Sequence, residues 1–219
     1  MYKFFAKKYI RKTIIIVDSG NSFCQNVTYG LLLSHLIKLN GGIMSENLDR
    51  QALREEALKD MHDGAVTEDY QADLDVVRNQ LSTSMATEVI CYLRYMDHYF
   101  KAKSLGENVI ANEFKEHALQ EMDHALTLAE RLSQLGGVPD FNPASCIEKS
   151  HVDFVKGINM EQMIKENLLA ERIAIKCYRQ FIEKISDTDA TTRLLIEKIL
   201  MTEEEHADEI LDFVSELSC

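Results

Sequence analysis

Tryptophan is absent from this chain, and proline occurs only twice. With nine glycines in 219 residues, turn-forming residues are too sparse for a β-sandwich or barrel, in which strands recur roughly every ten residues. The five cysteines (Cys24, Cys91, Cys146, Cys177, Cys219) are odd in number and include no CxxC pair. That pattern argues against both a disulfide framework and a zinc ribbon, so a reducing cytoplasm is the expected location. No apolar run is long enough to cross a bilayer: "YGLLLSHLIKL" is short and interrupted. "KKYIRKTIIIVDSG" starts like a signal peptide, but Asp18 stops its apolar run and no small-x-small cleavage site follows. These absences leave one mostly helical domain with no membrane span.

Charge is distributed unevenly. Residues 1–43 hold six Lys and Arg against one Asp, leaving 18 basic against 35 acidic residues in the remainder. A body that acidic repels nucleic acid and attracts cations. The basic extension over 1–43 is a targeting or regulatory arm, a tail that touches nucleic acid, or sequence upstream of a start at Met44, after which helix-favouring acidic sequence begins. Residues 44–69 then form a lead segment, and 70–219 the main domain.

Four long amphipathic segments are predicted as helices over about 70–104, 108–136, 159–185 and 189–217. The breaks "SLGEN" and "SDTDA" are short and predict antiparallel hairpins. The connection "GGVPDFNPASCIEKSHVDFVKGIN" holds both prolines and can run the length of a bundle. The expected fold is all-α: two helical hairpins joined by one long crossover in a four-helix bundle.

Polar residues interrupt every buried stripe. In the last helix the stripe reads Ile199, Glu203, His206, Ile210, Phe213; in the second it reads Phe114, His117, Glu121, His124, Leu128, Leu132, Leu135. The first helix contributes Val77, Leu81, Glu88, Cys91 or Tyr92, and Tyr95, and the third Ile164, Leu168, Glu171, Ile175, Tyr178 and Ile182. Glu88 precedes Glu121 by 33 positions and Glu171 precedes Glu203 by 32, while Tyr95 and Tyr178 each follow their own helix's glutamate by seven. The two hairpins are therefore copies of one pattern, and they bring four carboxylates and two imidazoles to mid-bundle. A single Glu-x-x-His is ordinary on a charged helix; two at matched positions, each with a glutamate one helix upstream, are specific. Buried like charges are heavily penalised unless cations join them, and oxygen and imidazole donors suit iron or manganese rather than structural zinc. Glu88, Glu121, His124, Glu171, Glu203 and His206 are the candidate ligands of a di-metal centre.

The segments "TEVICYLRYMDHYF", "EFKEHALQEMDHALTLAERLSQLGGVPDFNP", "MIKENLLAERIAIKCY" and "TTRLLIEKILMTEEEHADE" resemble the ferritin-like proteins, among them the bacterioferritins and Dps-like ferritins. The resemblance implies a ferroxidase centre with two Fe per subunit, Mn being possible. Glu121 and Glu203 would bridge the irons, Glu88 and His124 complete one, and Glu171 and His206 complete the other. It also implies oxidation of Fe2+ by O2 or H2O2 and storage of ferric mineral in a hollow homo-oligomeric shell. The alternative is a di-metal oxidoreductase without storage, of rubrerythrin or manganese catalase type; the CxxC domain usual in rubrerythrins is missing.

Details depart from the bacterioferritin pattern. Glu116 and Gln120 stand where a bacterioferritin can carry extra inner-surface ligands, which puts that site in doubt. Met122 stands where bacterioferritins present a haem-ligating methionine, so haem b is an open expectation beside ordinary helix packing. His117 offers a further ligand or a hydrogen bond to one, and Tyr95 and Tyr178 can hydrogen-bond ligands or supply an electron, with Tyr178 equally a space-filling residue. Cys91 and Cys177 are expected to pack as small apolar residues, and His98 and His151 to lie at the surface or an interface. Only 13 residues follow His206, too few for a further short helix, so a shell of twelve subunits is expected, with twenty-four the alternative.

Overall fold

The computed structural model describes residues 49–216. The basic extension over 1–43, Cys24 and Cys219 lie outside the described residues. The chain divides into two units between residues 53 and 54. Helix α1 (Arg50–Ala57) buries none of its side chains; Asp49 caps it, accepting from the backbone N–H groups of Gln51 and Ala52 at 3.0 and 3.2 Å.

The second unit contains α2 (Leu74–Ser104), α3 (Asn108–Gln134), α4 (Pro143–Lys149), α5 (Met160–Ile185) and α6 (Ala190–Glu216), and no strand occurs among the described residues. Caps fix the starts. Asp73 accepts from Asp75 and Val76 N–H, so α2 begins at 74 rather than at the expected 70. Asn159 caps α5, Asp189 accepts from Thr192 N–H in the first turn of α6, and Asn142 caps α4 with Pro143 behind it. The α2–α3 hairpin turns through Gly106 at φ +84°, where a side chain would be strained. α2 packs along α3 and α5 along α6, as two hairpins.

The crossover between α3 and α5 carries α4, which packs on α2. It is fastened by side chains of α2. His98, expected at the surface or an interface, is instead fully buried within the chain, because Asn167 and the crossover backbone satisfy both ring nitrogens. Its Nδ1 lies 3.1 Å from Asn167 Oδ1, and its Nε2 accepts from Gly157 N–H at 3.1 Å. Arg94, also buried, donates to Asn167 Oδ1 at 3.0 Å and to Asp153 O at 3.4 Å. His151 is exposed as expected, with its backbone N–H donating to Thr87 Oγ1 at 3.0 Å.

Two apolar clusters fill the bundle. One gathers Val77, Leu81, Leu128, Leu132, Tyr178, Ile196 and Ile199; the other gathers Tyr95, Phe114, Ala118, Met163, Ile164 and Ile210. On α3 the residues between them are Glu121 and His124, and on α6 they are Glu203 and His206. The apolar clusters thus flank a buried polar layer.

Candidate metal centre

Helical spacing delivers the polar layer. Glu121 and His124 sit one turn apart on the inner face of α3, as Glu203 and His206 do on α6, while α2 and α5 each add one glutamate from the opposite side. All six side chains are buried, with exposures from 0 to 8%. Their donor atoms fall into two groups: Glu88, Glu121, His124, Glu203, and Glu121, Glu171, Glu203, His206. Glu121 and Glu203 belong to both. The sequence-predicted residues are therefore brought together in the arrangement of two adjoining sites with a shared pair of carboxylates.

Inside this cluster the atoms face each other without bonding. Glu88 Oε2, both oxygens of Glu121, His124 Nδ1, Glu171 Oε2, Glu203 Oε1 and His206 Nδ1 are buried and have no hydrogen-bond partner. His124 Nδ1 stands 2.9 Å from Glu203 Oε1 and 3.6 Å from Glu121 Oε2, yet neither contact has hydrogen-bond geometry. His206 Nδ1 stands 3.4 Å from Glu121 Oε1 and 3.9 Å from Glu171 Oε2. Orphaned buried polar groups each cost on the order of 1–3 kcal/mol, so seven converging atoms are costly unless something binds them. Hard oxygen donors with one imidazole per group fit divalent iron or manganese.

The outward atoms, in contrast, are held. Tyr178 donates to Glu88 Oε1 and Tyr95 donates to Glu171 Oε1, so each hairpin's tyrosine grips the other hairpin's glutamate. His206 Nε2–H donates to Gln120 Oε1 at 2.7 Å, which leaves the Nδ1 lone pair facing the carboxylates. The sequence pattern had marked Gln120 only as a missing ligand; its position immediately before Glu121, turned toward α6, was the available signal for this role. Tyr178 hydrogen-bonds a buried glutamate of the polar layer and so does more than fill space.

The charge states follow from crowding. Burial, then repulsion from Glu121, pushes the Glu88 carboxyl well above the usual range, and burial with Glu121 and Glu88 does the same to Glu203. Burial and Glu121 also raise Glu171. Burial opposes ionisation of Glu121 too, but the close approach of Glu88, His124 and His206 outweighs it and holds this carboxyl well below its ordinary value. Burial disfavours charge on both imidazoles, yet the glutamates, Glu121 foremost, raise His124 and His206. Without cations, shared protons offset the carboxylate charge.

Around the centre, an open groove of about 500 Å3 between α3 and α6 reaches His124, and Thr127, Leu195 and Ile199 are among its lining residues. Cys91 is buried in the apolar core, accepts from Arg94 Nη2 at 3.6 Å and has its thiol raised by burial, while Cys177 is half-buried with its thiol shifted in the same direction. Glu116 is exposed, and Met122 is half-buried outside the cluster. His117 is buried one turn before Glu121 and stacks on His206 at a centroid distance of 4.0 Å.

Two hairpins joined by a crossover, with one inward glutamate per helix and two Glu-x-x-His pairs, define the ferritin-like class of helical bundle. The chain belongs to that family: the family model for the ferritin-like domain matches residues 78–219. It is 30% identical over 139 residues to a nutrient stress-induced DNA-binding protein of Synechococcus sp., covering 62% of this chain and 78% of the relative. It is 26% identical over 127 residues to a bacterioferritin of Desulfovibrio desulfuricans, covering 58% and 67% respectively. Among solved structures it resembles a dodecameric thioferritin, the bacterioferritin-related protein from Bacteroides fragilis, with TM-score 0.62 and 25% identity over 68% of this chain and 89% of that one. These relatives support iron storage and ferroxidase chemistry at the level of the family.

Proposed function

We propose that the six-residue cluster is a ferroxidase centre that takes Fe2+ as its substrate, and that the chain assembles into a shell that retains the ferric product. The observation that carries this is the set of seven buried, unpartnered ligand atoms drawn from four helices. In this reading Glu121 and Glu203, common to both groups, bridge two cations. Glu88 and His124 complete one position, and Glu171 and His206 the other. A bound pair of ferrous ions would supply two electrons to O2 or H2O2.

The chain's own residues prepare the site for that chemistry. Tyr178 and Tyr95 fix one oxygen of Glu88 and Glu171 and leave the other turned inward. Gln120 fixes the His206 tautomer. The apolar clusters on either side limit water, so the site's charges interact strongly. Iron is preferred over manganese here because the bacterioferritin relatives point to iron.

Anaerobic titration with Fe2+ is expected to load two ions per chain at this centre, and Glu121→Ala to lose both, since each position depends on Glu121. Oxidant added to the loaded protein should then turn over iron that stays with the protein during gel filtration. A Glu121→Ala variant that still binds both ions would sink the assignment, and wild-type protein that oxidises iron without retaining it would replace storage with a di-metal oxidoreductase.

A further inference from the structure

One more set of ligand-type side chains converges among the described residues: Glu113 and His117 on α3 and Glu209 on α6, with donor atoms within 4.8 Å of one another. His117 Nε2 lies 2.9 Å from Glu209 Oε2 and 3.5 Å from Glu113 Oε1. The imidazole is 1% exposed, while the Glu113 and Glu209 side chains are 29% and 44% exposed. We propose that Glu113, His117 and Glu209 form a separate divalent-cation site at the solvent-facing side of α3 and α6, where an ion is held one helical turn from the six-residue centre.

The buried imidazole can serve a cation in place of a proton. Tyr95 donates to Glu171, and His117 Nδ1 lies 3.3 Å from the same hydroxyl oxygen, to which it can donate. Nε2 is at hydrogen-bond distance, 2.9 Å, from Glu209 Oε2; with the ring N–H on Nδ1 its lone pair faces the carboxylates of Glu209 and Glu113, where a cation takes the place of the proton. The spacing suits one: metal–ligand bonds of about 2.1 Å place neighbouring octahedral ligands about 3.0 Å apart, against 2.9 and 3.5 Å here.

Internal symmetry supplies an independent comparison. The two hairpins match Glu121 with Glu203 and His124 with His206, so the triad's counterparts are Leu195 for Glu113, Ile199 for His117 and Thr127 for Glu209. All three counterparts line the open groove at His124, and none can ligate a divalent cation as a charged or imidazole donor. The copied scaffold thus carries the triad on one side only. Scaffold repetition does not explain the cluster; chemistry confined to that side does. The ring of His117 stacks on His206, and its Nδ1 reaches Glu171 through Tyr95. A cation on Nε2 therefore stands beside the Glu171–His206 position, open to water through its carboxylates. That the ion passes on to the centre rests on the proposed function; its binding does not.

The test uses Mn2+ as the probe, with calorimetry in solution and anomalous diffraction from soaked crystals of the full chain. An anomalous peak bounded by Glu113, His117 and Glu209 is expected, with Glu113→Gln/Glu209→Gln losing that peak and one Mn2+ per chain while keeping its oligomer size and the peaks at the six-residue centre. Peaks at the six-residue centre alone would overturn this proposal and leave the ferroxidase assignment standing. A peak at the triad alone would support this proposal and overturn the other, and no peak at either would end both.

Discussion

Each inward glutamate of α2 and α5 has two oxygens, and the protein treats them differently. The outer oxygen is tied to a tyrosine; the inner one is left without a partner. Tyr178→Phe should release Glu88 and weaken divalent-cation binding at that position by about tenfold, with a smaller change at the Glu171 position, as calorimetry with Mn2+ would register. Equal weakening at both positions would mean that the tyrosine acts through general packing. His98 yields a prediction of stability. Burial, only partly opposed by Val155 O 3.0 Å from Nε2, holds its pKa at about 4, below the ordinary value of 6.5, and the neutral ring accepts from Gly157 N–H at Nε2. The folded protein therefore resists a proton that the unfolded chain takes up, so stability present above pH 6.5 is lost as pH falls toward 4. The loss from this group is about 2 kcal/mol at pH 5. Urea unfolding at pH 7 and 5 should show a shallower decline in His98→Gln than in the wild type. The inward glutamates and histidines were legible in the sequence because helical periodicity makes a buried charge conspicuous. His98 was not, since nothing in its own helix reveals that Asn167 and the crossover backbone will satisfy it.

At the level of elements, the helices and hairpins follow from local rules that a sequence displays: capping residues, short polar breaks and one long proline-bearing connection. The start of α2 moved by four residues because Asp73, and not the apolar run, ends the preceding segment. The path of the crossover was less legible, since it depends on contacts between residues nearly sixty positions apart. Gly157 shows the dependence. A Cβ there would stand 2.0 Å from Met163 Cγ and 3.1 Å from His98 Nε2. Gly157→Ala is thus expected to push the crossover off α2 and α5 and to cost about 2 kcal/mol, within the range for overpacking a filled site. Thermal unfolding would measure it, and hydrogen exchange should localise the loosening to the crossover while the polar layer keeps its protection. An unchanged melting temperature would mean that the crossover is not fastened by this contact.

For the whole molecule, the chain's −12 charge and the single inner polar layer both bear on assembly. Many like-charged chains gather only if the interfaces offset their mutual repulsion, and a closed shell concentrates that negative field on its pores and inner wall, where cations accumulate. The shell proposed above takes as its pattern the dodecamer described for the thioferritin of Bacteroides fragilis. Twelve chains of 25.1 kDa make a particle of about 300 kDa, and twenty-four about twice that. Light scattering coupled to gel filtration is expected to return the smaller value. After loading with excess Fe2+ and oxidant, iron should co-elute with that particle at well over the two ions per chain of the six-residue centre, because retained mineral is not limited by ligand count. The initial uptake rate should fall as salt is raised from about 0.05 to 0.5 M, since the Debye length shortens and screens the attraction that brings Fe2+ to the shell. A salt-independent rate with about two irons per chain would leave the bundle a di-iron catalyst and remove the storage role, whereas a salt-dependent rate with large retention requires both the acidic exterior and an enclosed interior.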